Sequence, residues 1–403
     1  MKGHSLLWDR LLSSDMATYD PYDLWKTRLG LWLRKCYYRR GKVAIPLVAP
    51  FYLLDFYAPR LIRAFMKPQE YPIVRAMGAL TALNLYGITS REVFLKSASC
   101  SVTWLINNKS SGYHGACWGL NFPWETKNRY YSPQTPFVTH TPYCVEALLR
   151  YHDVTQDAES LDVALSAVGF LKEDLAVLWA DGSGTAVGYG PGQEERIVIN
   201  ANAYAMMLYG LLATRMPDRR DELLGRAARI YTFVASCQRD DGSWLYYHDN
   251  GSGNFIDCFH TCFILKNIVK YGRYSGSDVG PILVRGLENL EDTFVDDRTY
   301  LARRFSLKAN PSLVKYDLYD QAELLNVYLL TGQQKRADQL YAAIYEHFYR
   351  PADGSFGCSI DIFGMLNTMT YLRWPLMPLM YVLSEYWKGQ DRSGLLPEAL
   401  CAE

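Results

Sequence analysis

The strongest constraint on this chain is an internal repetition. Apolar segments with polar starts recur along it: YPIVRAMGALTALNLYGIT from Tyr71, HTPYCVEALLRYHDVT from His140, NANAYAMMLYGLLATR from Asn200, CFHTCFILKNIVKYGR from Cys258, LYDQAELLNVYLLTGQ from Leu318 and MTYLRWPLMPLMYVLSEY from Met369. From His140 onward the starts lie roughly 50 to 60 residues apart, a period that points to a repeat architecture. The Tyr71 copy precedes them by a longer interval. After most copies comes a second helical stretch, such as LDVALSAVGFLKEDL, RRDELLGRAARIYTFVASC or KRADQLYAAIYEHFYR, so each unit reads as a helical hairpin.

The helices of a hairpin differ. The first is apolar almost all round, whereas the second carries charge on one side, as in Arg219, Arg220, Asp221, Arg226 and Arg229. A helix apolar all round is buried and an amphipathic one lies outside. Six such hairpins closing on themselves give an all-α (α/α)6 toroid over residues 70–403, with a helical extension over residues 1–69 packed beside it. Turn signals follow the outer helices at Asp181-Gly182-Ser183, Asp241-Gly242-Ser243 and Asp353-Gly354-Ser355. They read as one repeated corner leading back to the inner-helix starts.

At those starts the chain repeatedly places polar side chains: Asn200 and Asn202, Asp257 and His260, Asp317, Asp320 and Gln321, Tyr371 and Arg373. Some must be N-caps, which satisfy free N–H groups. His and Arg have no such use, and a ring of polar groups around one axis is the form of a binding funnel. The stretch from Asn107 to Pro136 holds His114, Trp118, Trp124, Glu125, Lys127, Arg129, Tyr130 and Tyr131. Connections of this length are usually functional. Rings beside a carboxylate and cations suit an acidic glycan; a plain lid is the other reading.

Composition fits a saccharide ligand and excludes others. Aromatics make up 14% of the chain, with 31 Tyr and 10 Trp, and an aromatic face packs on the apolar face of a sugar ring. The 42 basic and 42 acidic residues balance, which argues against nucleic acid as a partner. Nine cysteines without paired spacing fit a reducing cytoplasm and call for no metal. Cys117, Cys258, His260 and Cys262 are a conceivable zinc set, and buried free thiols are the commoner explanation. The opening MKGHSLLWDRLL offers no secretory signal. Between Leu24 and Leu54, Lys26, Arg28, Arg34, Lys35, Arg39, Arg40 and Lys42 occur with no acidic residue, beside VAIPLVAPFYLL. That run is too short to span a bilayer; it reads either as an outer helix on the core or as a peripheral contact with the inner membrane or a biosynthesis complex.

The blocks WGLNFPWETKNRYYSPQTPFVTHTPYCVEALL, NANAYAMMLYGLL, QRDDGSWLYY with FIDCFHTCFIL, KYDLYDQAELL and NTMTYLRWPLMPLMYVLSEY resemble those of six-hairpin-glycosidase-like proteins of surface-polysaccharide biosynthesis clusters, over approximately residues 70–388. The resemblance implies a fold similar to glycoside hydrolases, uronate lyases and the catalytic domain of D-glucuronyl C5-epimerase, no cofactor, and a glycan or lipid-linked oligosaccharide in exopolysaccharide assembly as substrate. Where members tend to show Phe-Asp-Trp-Gln-Thr-Arg, this chain has Phe122-Pro123-Trp124-Glu125-Thr126-Lys127.

Two chemistries remain open. Epimerisation or lyase-type elimination on a uronic acid needs a cation, a base and an acid, roles available to Arg373, His260 and Tyr371. Hydrolysis needs paired carboxylates, available from Glu125, Asp257, Asp317 and Asp320. Trp118, Trp124, Asn200, Asn202 and Asp320 complete the expected binding set. A glycan-binding protein without turnover is the rival from another class. The QRDDGSW stretch also resembles a terpene-cyclase motif, without the acid motif of those enzymes.

Overall fold

The computed structural model describes residues 6–126, 129–192, 196–251, 253–307 and 312–389; Lys127 lies outside them. The helices in chain order are α1 (Leu6–Leu12), α2 (Arg28–Arg40), α3 (Ile45–Tyr57), α4 (Pro59–Arg63), α5 (Pro72–Thr89), α6 (Glu92–Asn107), α7 (Thr141–Thr155), α8 (Ala158–Gly169), α9 (Ile199–Ala213), α10 (Arg220–Ser236), α11 (Cys258–Ser275), α12 (Gly280–Phe294), α13 (Leu318–Leu330), α14 (Gln334–Phe348) and α15 (Met377–Lys388).

The inner ring is α5, α7, α9, α11, α13 and α15, and it closes because α15 packs on α5. Burial follows the sequence pattern. Every residue of α9 is buried, while α12 buries only the stripe Ile282, Gly286, Leu290 and Phe294. That spacing is one face of a helix, so the other face meets water. In the outer layer α6, α8, α10, α12 and α14 pair with the inner helices that precede them. α1 comes from the start of the chain to lie on α6, with Trp8 against Trp387 of α15 at 5.8 Å between ring centroids. The N-terminal extension thus shares the core of the ring through Leu7, Trp8, Leu11 and Met16.

The repeated corner is a carboxylate turn. Asp181, Asp241 and Asp353 each accept, through Oδ1, the backbone N–H two residues on, at 2.7, 3.0 and 3.2 Å. Gly242 has φ +82°, and a Cβ there would lie 2.3 Å from the Arg285 carbonyl oxygen, so only glycine fits. Short strands at the same end of the ring carry the chain into the inner helices. Residues Val314–Asp317 pair with Ser359–Asp361, and Ile256–Asp257 with Phe305–Leu307. Asp257 and Asp317 leave those strands as the N-caps of α11 and α13, accepting from the backbone N–H of His260 and Tyr319.

One boundary differs from the sequence pattern. The last inner helix starts at Met377, not near Met369, because Pro375 interrupts the turn Leu372–Leu376 and Trp374 leaves helical geometry. Tyr371, Arg373 and Trp374 therefore precede the helix.

Candidate functional site

The inner-helix starts and the loops above them enclose two adjoining chambers. The inner one, about 270 Å³, receives a side chain from each of the six starts: Ile73, His140, Asn200, His260, Tyr319 and Arg373 are among its walls. The long connection adds Phe122, Trp124, Thr126, Arg129 and Tyr131, and the N-terminal segment adds Tyr22. The outer chamber, about 580 Å³, is lined by Trp25, Tyr52, Asp55 and Phe56 on one side and by Asp257, Arg304, Asp317 and Tyr371 on the other. Tyr22, Phe259, His260 and Trp374 line both chambers. His260 therefore stands at the partition.

His260 is fixed by Asp257. The carboxylate lies 2.9 Å from ring Nδ1 and also takes the His260 backbone N–H at 3.0 Å. In the neutral ring this holds the proton on Nδ1 and leaves Nε2 as the basic nitrogen. Rings surround it, with Tyr246 at 4.7 Å and Phe259 at 4.0 Å between centroids.

His140, at the start of α7, is the second histidine of the inner chamber. Burial, with the Arg373 charge adding to it, lowers its pKa to about 3, and among the described residues its Nδ1 has no hydrogen-bond partner. It is thus a neutral imidazole at working pH, able to donate to or accept from a ligand.

Below the two histidines a buried polar chain runs across the ring. Tyr143 and Tyr204, both lining the inner chamber, share a hydrogen bond of 2.5 Å. Lys266 donates to the Tyr143 hydroxyl at 2.6 Å and pairs with Glu323 at 2.5 Å. Burial raises both phenols well above their usual range and lowers Lys266 despite Glu323. Burying such a set is costly unless every member is paired, as here.

Several residues sit otherwise than the sequence implies. Arg373 lines the inner chamber, but its Nε and Nη2 both grip Asp20, a fully buried aspartate of the N-terminal segment, Nη2 at 2.9 Å. One edge of the fork expected for a substrate carboxylate is thus occupied, and Arg373 is held charged and in place. Asp317 and Asp320 bind Arg304 at 2.6 and 3.4 Å, and Asp320 also accepts the Phe259 N–H at 3.0 Å. Burial pushes the Asp320 carboxyl well up, against the pull of Arg304.

Glu125 lies between two chamber-lining residues, Trp124 and Thr126, on a strand paired with Tyr130–Tyr131. Successive strand residues face opposite sides, so it points away from the chamber. Trp118 is fully buried and donates to the Leu105 carbonyl at 3.0 Å; it belongs to the core. Asn202 is likewise structural, accepting the Val187 N–H at 2.8 Å and donating to the Val187 and Val198 carbonyls. Asn200 does line the inner chamber, with a buried Oδ1 that has no hydrogen-bond partner among the described residues. Tyr371 faces the outer chamber under the Arg63 guanidinium, 5.3 Å from its ring centre.

Trp124, Asn200, His260 and Arg373 are thus brought together in the inner chamber, and Asp257, His260, Asp317 and Tyr371 around the outer one. The sequence reading passed over His140, Arg304, Tyr22 with Asp20, and the Tyr143–Tyr204–Lys266–Glu323 chain. Two signals were present: His140 begins its repeat as His260 begins the next but one, and Lys266 interrupts an apolar inner helix. Tyr22 and Asp20 left none, since they precede the repeats.

This architecture is that of the (α/α)6 toroids, with six inner helices and, among the described residues, five outer helices that follow their inner partners and α1 beside α6 and α15. Cellobiose 2-epimerase from Bacillus thermoamylovorans superposes with a TM-score of 0.62 at 14% identity, over 79% of this chain and 88% of that one. A D-mannose isomerase gives 0.57 at 10% identity, over 81% and 87%. A glycosyl hydrolase of family 88 from Bacteroides vulgatus gives 0.56 at 9%, over 79% and 93%. These likenesses establish the fold. No family model and no curated protein sequence matches the chain.

Proposed function

We propose that the protein is an enzyme that moves a proton at a sugar carbon, epimerising a glycan residue or eliminating across it, in the inner chamber. The observation that carries this reading is which groups line that chamber. Two histidines, His260 and the neutral His140, line it with Arg129, Arg196 and Arg373, of which Arg196 is paired with Asp249 and Arg373 with Asp20, and among its described lining residues there is no carboxylate. Hydrolysis by two flanking carboxylates finds no pair there. The outer-chamber carboxylates are each engaged: Asp257 with His260, Asp317 with Arg304 and Asp55 with Arg63.

In this reading His260 Nε2 removes the proton next to the sugar's carbonyl or carboxylate, and Asp257 stabilises the imidazolium that forms. His140, kept neutral, donates a hydrogen bond to the oxygen on which charge develops, and the arginine field stabilises that charge. The Tyr143–Tyr204 pair supplies the second proton-bearing group that epimerisation requires, and Lys266 beside it stabilises a transient phenolate. Trp124 and the surrounding rings pack the sugar faces.

The setting proposed for this chemistry is surface-polysaccharide assembly in the cytoplasm, on a lipid-linked uronic-acid-containing oligosaccharide at the inner membrane. It is supported by the order of the sequence blocks and by the basic segment of residues 24–54.

The test is incubation of the protein with reducing oligosaccharides and uronic-acid polymers in heavy water, read by NMR. Deuterium at one sugar carbon marks epimerisation and an unsaturated end marks elimination. Chain cleavage without either would establish hydrolysis instead, and saturable binding without any change would establish a binding protein.

A further inference from the structure

The helical hairpin of α2 and α3 is built inside out. α3, IPLVAPFYLLDFY, is apolar but for Asp55, and Asp55 is the residue it buries, held by Arg63 and by Trp25 Nε1 at 3.1 Å. Its apolar residues Ile45, Leu47, Leu53 and Leu54 are exposed. At the hairpin tip Val43 is 83% exposed, and beyond α4 Phe65 is 83% exposed. At the far end of α3 a turn from late in the chain adds apolar surface: Met365 shares a groove with Tyr57 and Leu61, and Phe363 of the same turn is 72% exposed. Single exposed apolar side chains are ordinary, but a patch gathered from separate segments marks an interaction surface.

Two further observations choose the partner. Arg28, Lys35, Arg39, Arg40 and Lys42 are exposed on α2 and the tip, and no acidic residue lies between Leu24 and Leu54, although the whole chain balances 42 basic against 42 acidic residues. The positive collar is therefore local to the apolar patch, the complement of an anionic surface above an apolar interior. In addition, Trp25, Tyr52 and Phe56 of this segment line the outer chamber together with His260. No described helix is long and apolar enough to cross a membrane. At 13 residues, α3 is well short of the roughly 20 a span needs, so any contact it makes with a bilayer is interfacial.

We propose that the hairpin seats the protein on an anionic lipid surface. Val43, Ile45, Leu47 and Phe65 enter the boundary between headgroups and acyl chains, Arg39, Arg40 and Lys42 sit among the headgroups, and the outer chamber opens at the membrane surface. Only the further step, that a lipid-linked saccharide is presented there, rests on the proposed function.

The experiment is co-sedimentation of the full chain with vesicles of phosphatidylcholine alone or with phosphatidylglycerol, at low and high salt. Wild type should bind the anionic vesicles, weaken as salt rises, and bind the neutral ones poorly. The triple variant Arg39→Glu, Arg40→Glu, Lys42→Glu should bind roughly tenfold or more weakly. The triple variant Val43→Ser, Leu47→Ser, Phe65→Ser should lose binding while its far-ultraviolet circular dichroism stays unchanged, since these residues are exposed. Absence of vesicle binding, equal binding by all three proteins, or a lipid-free dimer dispersed by the serine variant would overturn the proposal. The readout needs no substrate, so its failure is distinct from failure of the proton-transfer reading.

Discussion

Asp257 holds His260 twice, taking its backbone N–H at 3.0 Å as the cap of α11 and its ring Nδ1 at 2.9 Å. One carboxylate thereby starts the helix and orients the imidazole. The two roles are separable, because asparagine caps a helix about as well as aspartate does but cannot stabilise an imidazolium. Asp257→Asn should lower kcat by roughly 10²- to 10⁴-fold while the melting temperature moves little. Equal loss of both would reduce Asp257 to a cap.

His140 provides a pH signature. Its pKa is near 6.5 in the unfolded chain and about 3 in the fold, because burial disfavours the charged ring. Between these values the unfolded chain binds the extra proton, and stability rises with pH wherever the unfolded state binds more protons. The contribution is therefore fully present above about pH 6.5 and is lost as pH falls toward 3, by about 1.4 kcal/mol per pH unit. Urea unfolding at pH 7, 5 and 4 should show this slope in wild type and a shallower one in His140→Gln.

Asp20 and Arg373 form a buried pair between the N-terminal segment and the last inner-helix start. Removing one partner leaves a buried charge uncompensated, at a cost of about 3–5 kcal/mol. Asp20→Ala should be destabilised by that amount, and the double variant Asp20→Ala, Arg373→Met by much less. Arg373→Lys keeps the charge but loses the planar fork, so it too should be destabilised, by less than Asp20→Ala. Chemical denaturation of wild type, Asp20→Ala, Arg373→Met and the double variant measures the coupling, and additive losses would contradict it.

Tyr143→Phe removes the hydroxyl that joins Lys266 to Tyr204 and keeps the ring that packs against it. If this chain delivers a proton, kcat should fall by roughly 10²-fold with KM changed less. A change in KM alone would confine Tyr143 to shaping the chamber floor.

By itself the sequence determined the architecture. Apolar segments such as residues 199–213 can only be buried, one-faced segments such as residues 280–294 must cover them, and their alternation leaves a closed double ring as the way to hide both. It also marked the end where the chambers lie, because Asp257, His260 and Asp317 recur where inner helices begin. Tertiary structure decided which of those polar groups face the chambers and which hold the fold together. Asn202 starts a helix as Asn200 does, yet two residues along a helix is more than half a turn, so one faces the chamber and the other a neighbouring strand. Glu125 lost its place to strand alternation, and Arg373 had one edge of its fork taken by Asp20, over 350 positions away along the chain. No local pattern records such a partner, since the pair exists only once ring closure brings the two ends of the chain together. The outward turn of α3 has the same origin: its composition reads as core, and its apolar side chains are exposed because among the described residues no element packs over them.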